Sequence, residues 1–106
     1  MQSIDITILL TMNIEQAADK LAELGHVTRL SIYRALVNAG HQGLPVSDIK
    51  AKLTIPGSTL SHHISRLIRV GLVKQDRDGR VLWCKAQYSE LGALMDFLTK
   101  ECCKDS

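Results

Sequence analysis

Aromatic side chains are scarce in this sequence, and their scarcity narrows the choice of fold. Phe, Trp and Tyr together make up 4% of the 106 residues, whereas apolar residues as a whole make up 45%. The core must therefore be built from Leu, Ile, Val and Ala, which favours helices over a β-sandwich. The apolar fraction is ordinary for a folded domain, and the length fits one domain with no room for a catalytic domain beside it.

The sequence also lacks a long apolar run. No stretch approaches the roughly 18 consecutive apolar residues of a transmembrane helix. The apolar segment 4–12 is short, contains Asp5 and has no basic residue before it, so it is a poor candidate for a signal peptide. We expect a cytoplasmic protein in which segment 4–12 forms a strand or helix that caps a dimer.

Cysteines are few, and their number argues against disulfides. The chain has Cys84 and the adjacent pair Cys102 and Cys103. An odd number of cysteines does not indicate a framework of paired disulfides, and a disulfide between adjacent cysteines needs a strained ring. Because the sequence has neither a Cys-x-x-Cys motif nor an α/β pattern of alternating strands and helices, we expect no enzyme.

The apolar periodicity and the turn residues predict a mainly α protein with a small β-hairpin. The expected elements are a helix from 14 to 24, capped by Asn13 and ended by Gly25; a helix after Thr28, ended by Gly40; an extended piece at 44–46; a helix from 48 to 53, capped by Ser47; a helix from 58 to 70; a hairpin of 72–76 and 80–86 around Asp78-Gly79; and a last helix from 89 to 103. Two helices joined by a turn of about four residues form a helix-turn-helix unit. The hairpin that follows would be its wing.

The helix 58–70 has two distinct faces. Leu60, Ile64, Leu67 and Ile68 fall on one side and should pack on the core. The other side carries the polar and basic residues Ser58, Thr59, His62, Ser65, Arg66 and Arg69. Short hydroxyl side chains let a helix approach the major groove closely, and arginine reads guanine or binds phosphate. Alternatively, this polar side is only the solvated face of an ordinary amphipathic helix. The partner helix before it and the basic hairpin after it favour a DNA-binding role.

Here the sequence resembles the ArsR/SmtB family of winged-helix repressors. Residues 58–67 read Ser-Thr-Leu-Ser-His-His-Ile-Ser-Arg-Leu and residues 71–73 read Gly-Leu-Val, similar to the family's recognition helix, although Ile64 stands where the family usually has Leu. The likeness extends from about residue 22 to residue 100. It implies a homodimer paired through the first and last helices, with Ser58, Thr59, Ser61 and His62 approaching DNA. His63 occupies the family's His position and should make a structural hydrogen bond; metal binding by His62 and His63 is disfavoured because neighbours on a helix diverge by about 100°.

The hairpin tip would be the second DNA contact. Arg77 and Arg80 lie beside the turn, within reach of the minor groove or of phosphates. The alternative is that the tip is charged only for solubility. The net charge of +2 is by itself a weak indication of an anionic partner.

The cysteine pair carries the prediction of an inducer. Two family sensor sites are absent, because residues 46–50 contain no Cys and residues 89–103 contain no His. The sequence 97–103, Phe-Leu-Thr-Lys-Glu-Cys-Cys, resembles the branch that responds to trivalent arsenicals. Adjacent thiols suit one soft ion. A methylated arsenical would need only Cys102 and Cys103, whereas inorganic arsenite would need a third sulfur, for which Cys84 is the candidate unless it is a small buried apolar residue.

The sequence thus predicts one winged helix-turn-helix domain over 1–106, with dimerisation helices at 13–24 and 88–103, the helix-turn-helix at 47–71 and the wing at 72–86. Its expected function is a repressor, with no required cofactor, that leaves double-stranded operator DNA when trivalent arsenic binds. Alternatives on the same fold are a redox or sulfide sensor, a sensor of cadmium, lead or antimony, and a module that binds only proteins.

Overall fold

A computed structural model describes residues 12–100 of the chain. In this part the elements are α1 (Ile14–Leu24), α2 (Val27–Ala39), β1 (Leu44–Pro45), α3 (Val46–Leu53), α4 (Gly57–Arg69), β2 (Val73–Asp78), β3 (Val81–Ala86) and α5 (Tyr88–Thr99). The strands form one antiparallel sheet in the order β1-β3-β2, with Cys84 between Leu44 and Gln75. The predicted mainly α fold, a helix-turn-helix followed by a hairpin wing, is confirmed. No helix in residues 12–100 is long and apolar enough to cross a membrane.

Local side-chain chemistry fixes the start of α1 and of α2. The Asn13 side chain accepts a hydrogen bond from the Gln16 backbone N–H at 2.8 Å, and the Gln16 side chain accepts one from the Asn13 N–H at 3.0 Å. This capping box starts α1, and Gly25 and Gly40 follow α1 and α2 as expected. The prediction of Thr28 as a cap was wrong: α2 begins at Val27, because the ring nitrogen Nδ1 of His26 accepts the Thr28 N–H at 3.1 Å.

Two other boundaries differ from the sequence prediction by one or two residues. Helix α3 begins at Val46, directly after Pro45, so Ser47 lies inside the helix and does not cap it. Strand β2 continues to Asp78, which pairs with Val81, so the hairpin turn is Gly79-Arg80 instead of Asp78-Gly79. Pairing with β3 extends β2 beyond its local sequence signal.

The core joins the helix-turn-helix to the sheet. Its buried members are contributed by α2, α3, α4, the segment before β2, and the strands: Ile32, Tyr33, Leu36, Ile49, Leu60, Ile64, Leu67, Leu72, Val73, Cys84 and Ala86. Helix α4 thus buries one face and leaves the opposite face outside. Ile68 was expected inside but is exposed, because the chain leaves the helix after Arg69 and Leu72 and Val73 fill that part of the core. A second cluster, which includes Ala17, Ala93 and Leu94, joins α1 to α5.

Candidate nucleic-acid interface

The outer face of α4 is a row of short polar side chains. All five of its non-arginine candidates are exposed: Ser58, Thr59, Ser61, His62 and Ser65. The burial of Leu60, Ile64 and Leu67 on the other side fixes the rotation of the helix about its axis. Ser58 and Thr59 stand in its first turn, the part of a recognition helix that reaches base edges. The geometry therefore gives a rigid helix with a small, hydrogen-bonding surface.

The two arginines of α4 lie at its far end and do not project freely. Arg66 forms a bidentate ion pair with Glu23, in which Nε lies 2.7 Å from Oε1 and Nη2 lies 3.1 Å from Oε2. Arg69 Nη2 lies 3.3 Å from the same Oε2. Both arginines therefore bind a carboxylate of α1, an ion pair that the sequence did not indicate. Contact with DNA by Arg66 and Arg69 stays a prediction.

Glu23 is the centre of a cluster of charges between α1, α2 and α4. Its side chain is 6% exposed and also meets Arg29, whose Nε lies 3.2 Å from Oε1. The hydrogen bond from Arg66 holds the pKa of Glu23 below its usual value, against the opposing effect of burial. Sequence reasoning missed Glu23, because its position in a polar helix end gives no local sign of a partner 43 residues later.

His63 occupies the inner side of this cluster. It is buried, and its Nδ1 lies 3.0 Å from Arg29 Nη1. A guanidinium can only donate, so Nδ1 accepts and the ring is neutral. Burial lowers the pKa of His63, and the nearby charges of His26 and Arg29 lower it further. This arrangement matches the structural role expected for His63. Within residues 12–100 no three His, Cys, Asp or Glu side chains are placed to hold a metal ion.

The wing presents its two arginines to solvent. Arg77 near the end of β2 and Arg80 in the turn are both exposed. An ion pair of 3.1 Å between Lys85 and Asp76 links the two strands below the tip. Two positive charges therefore lie at the tip of the hairpin, above a base that is paired across both strands.

Cys84 lies in the part of the chain that the structure describes. Cys84 is fully buried, and its sulfur accepts a hydrogen bond from Gln75 Nε2 at 3.4 Å. Burial raises the pKa of the Cys84 thiol, which disfavours the thiolate that a soft ion needs. The structure favours the small buried apolar role for Cys84 over that of a ligand. Cys102 and Cys103 lie outside the described residues.

Helices α1 and α5 carry apolar side chains that the described part of the chain leaves exposed. These are Ile14 and Leu21 on α1 and Met95 and Leu98 on α5. The two helices are neighbours, joined by their shared apolar cluster and by an ion pair of 3.6 Å between Lys20 and Glu90. Large apolar residues on adjacent helices are typical of an interface.

Comparison with known sequences identifies the central part of the chain. A model of the helix-turn-helix domain family matches residues 24–76, which is half of the chain. The uncharacterized HTH-type transcriptional regulator YbzH of Bacillus subtilis (strain 168) is 39% identical over 59 residues, or 56% of this chain. The match spans 59% of that relative's length.

Solved structures with the same arrangement include regulators of the ArsR family. An ArsR-like transcriptional regulator from Rhodococcus sp. RHA1 has a TM-score of 0.71 at 22% identity, over 85% of this chain and 82% of its own. The homodimeric winged helix-turn-helix DNA-binding domain of Mb0332 from Mycobacterium bovis, a possible ArsR-family regulator, has a TM-score of 0.63 at 24% identity, over 85% and 83%. A protein described as a possible transcriptional regulator for arsenical resistance has a TM-score of 0.66 at 25% identity, over 76% and 80%. The shared fold is that of a winged helix.

Proposed function

The chain belongs to the helix-turn-helix domain family, and from this premise we propose that it is a DNA-binding transcriptional repressor that acts in the cytoplasm as a homodimer. The observation that carries the proposal is the exposed face of α4, whose serines, Thr59 and His62 are held outward by a buried apolar face. The wing that follows adds Arg77 and Arg80. Together they offer one helix to the major groove and one basic hairpin to the adjoining backbone or minor groove.

The proposed dimer forms through α1 and α5. Burial of Ile14, Leu21, Met95 and Leu98 against a second copy would remove four exposed apolar side chains from water. The two-fold symmetry of such a dimer presents two copies of α4 to successive major grooves about 34 Å apart, which matches a near-palindromic operator. The homodimeric structure of Mb0332 supports this assembly.

The dimer is tested by light scattering after size exclusion. Met95→Glu places a charge in the proposed interface and should shift the protein toward the mass of one chain. The matched control is Val81→Glu, which adds the same charge at an exposed apolar residue of the wing and should leave the dimer intact. A Met95→Glu protein that keeps the mass of two chains at the same concentration contradicts the interface.

The proposed inducer is a trivalent arsenical bound by Cys102 and Cys103. Adjacent thiolates are soft ligands, and a methylated arsenical has two open valences that they can fill. Cys84 is buried, so the proposal assigns no role to it in binding. The similarity to a possible regulator for arsenical resistance supports this choice. Binding at the end of the chain, after α5, would alter the dimer and therefore the spacing of the two recognition helices.

The test is fluorescence anisotropy on the DNA upstream of the protein's own coding sequence, titrated in turn with methylarsenite, arsenite, cadmium, zinc and peroxide. Release by an arsenical alone is expected, with DNA affinity reduced by about 5- to 150-fold. Release by cadmium or peroxide instead would identify a soft-metal or redox sensor. Phosphate contacts make DNA affinity fall steeply with salt. DNA binding that is absent or independent of salt would therefore favour the alternative that the domain binds only proteins.

The cysteine assignment has its own variants. Cys102→Ser combined with Cys103→Ser should keep the DNA affinity and abolish release by the arsenical. Cys84→Ala is the control and should still be released. If the double variant responds like the unmodified protein, the pair is not the sensor.

A further inference from the structure

We propose that Glu23 controls how much of the positive charge of α4 is available to DNA: its carboxylate holds Arg66 and Arg69 in the free protein, and in the complex these two guanidiniums exchange it for backbone phosphates. The inference rests on the proposed DNA-binding function. It adds to that function a positioning residue that lies on α1, outside the helix-turn-helix unit itself.

The three arginines around Glu23 fall into two classes. Arg29 is anchored, because its side chain is 11% exposed, its Nε donates to the Glu23 backbone oxygen at 2.9 Å, and its Nη1 bonds to His63. The side chains of Arg66 and Arg69 are 37% and 67% exposed. The side-chain hydrogen bonds of Arg66 and Arg69 run only to the Glu23 carboxylate among the described residues. Two of the three guanidiniums can therefore leave without breaking any other described contact.

The charge balance favours such an exchange. One carboxylate faces three guanidiniums, so the cluster carries an excess of positive charge that a second anion would neutralise. When Arg66 and Arg69 leave, Arg29 stays 3.2 Å from Oε1, and the buried carboxylate keeps a counter-ion. This matters because a buried charge without a partner is strongly destabilising. Phosphate oxygens, in turn, accept the same paired N–H groups that Arg66 now gives to Glu23.

The location of Glu23 links this exchange to the dimer. Glu23 lies in the last turn of α1, the helix that carries the exposed Ile14 and Leu21 of the proposed interface. A movement of α1 relative to α4 therefore changes the reach of the carboxylate to Arg66.

The test is the salt dependence of binding to a short DNA duplex of random sequence, because phosphate contacts do not depend on base sequence. The logarithm of the affinity is plotted against the logarithm of salt concentration for the unmodified protein, for Glu23→Gln and for the control Glu90→Gln. Both variants remove one negative charge from a residue in an ion pair, but Glu90 pairs with Lys20 and not with α4. Each additional phosphate contact steepens the slope by about 0.9.

Because the proposal gives both complexes the same phosphate contacts, Glu23→Gln and Glu90→Gln should have the same slope, but Glu23→Gln should bind about 2- to 10-fold more tightly at each salt concentration, since no carboxylate competes for Arg66 and Arg69. Equal affinities for the two variants overturn the proposal. A second comparison, which does not require Glu23→Gln to fold, is that of Arg66→Gln with Arg34→Gln, which removes the same charge from an exposed residue of α2. The slope of Arg66→Gln should be shallower by about 0.9 for each protomer, and equal slopes overturn the proposal. An unmodified protein that shows no salt-dependent DNA binding refutes instead the proposed function on which the inference rests.

Discussion

Replacement of Ile64 by Ala tests whether the outer face of α4 has been identified correctly. Ile64 is 2% exposed and packs in the main core among residues of α2, α3 and the sheet. Its burial fixes the rotation of α4, and that rotation places His62 and Ser65 outside. A helix rotated by half a turn would bring Ile64 to the surface and the proposed DNA face into the core.

The expected loss follows from the size of the side chain. Ile64→Ala removes three carbon atoms, and each buried methylene contributes about 0.8 kcal/mol, which gives about 2.4 kcal/mol for transfer alone. The cavity that remains adds to this, so the free energy of unfolding should fall by about 2–5 kcal/mol. For a domain of this size a loss of about 2 kcal/mol corresponds to a decrease in Tm of roughly 8–16 °C.

The assay is guanidinium unfolding followed by circular dichroism at one fixed protein concentration, because dimerisation makes stability depend on concentration. The control is Val27→Ala, which shortens an aliphatic residue that is 81% exposed and should change the free energy of unfolding by no more than about 0.5 kcal/mol. If Ile64→Ala is as harmless as Val27→Ala, the rotation of α4 is wrong, and the assigned DNA face is wrong with it.

Two further predictions concern a close backbone approach and a titratable group. Gly43→Ala should lower the free energy of unfolding by more than about 1 kcal/mol, because φ is +76° and a Cβ would overlap the backbone carbonyl oxygen of β3. Gly92→Ala, which meets nothing within 4 Å, should not destabilise, and equal losses in guanidinium unfolding would contradict this reasoning. Burial lowers the pKa of His63 from 6.5, so just below pH 6.5 the unfolded chain binds more protons than the folded chain. The stability that comes from keeping His63 neutral is therefore complete above pH 6.5 and is lost as the pH falls through the folded pKa. As the pH falls, the free energy of unfolding should decrease less in His63→Gln than in the control His41→Gln. The same decrease in both variants would exclude His63 as its source.

Local signals were sufficient for the order of the elements. Asn13 caps α1, and Gly25 and Gly40 follow α1 and α2, because caps and glycines act through the backbone of their own neighbourhood. Where two residues, two positions apart, could cap the start of a helix, the sequence alone indicated the wrong one. Thr28 has the better capping side chain, but His26 accepts the bond, and a histidine ring in that role has no distinctive pattern.

The candidate site was predictable only in part, because local sequence signals do not show contacts between residues far apart in the chain. Helical periodicity was enough to place Ser58 and His62 on the side opposite Ile64, because it depends on residues of one helix. The surroundings of Arg66 depend on which helix end lies beside it, and Glu23 is 43 residues away in the chain. No spacing rule connects two residues at that separation, so the ion pair between Arg66 and Glu23 was not predicted.

Two different kinds of interaction hold α4, apolar packing and directed ion pairs. The variants Ile64→Ala and Glu23→Gln remove one kind each, so they should have different effects. The apolar contacts of Ile64 are numerous and non-directional, whereas the paired hydrogen bonds from Arg66 to Glu23 require one geometry. Ile64→Ala should therefore lower the free energy of unfolding and leave the salt dependence of DNA binding unchanged under conditions where the variant is folded. Glu23→Gln should instead raise the DNA affinity at a given salt concentration where the protein is fully folded, and leave the slope of the salt dependence unchanged. If Glu23→Gln only lowers the free energy of unfolding and the folded variant binds DNA no more tightly than Glu90→Gln, Glu23 acts only as a support for the fold, and the exchange of arginines between carboxylate and phosphate does not occur.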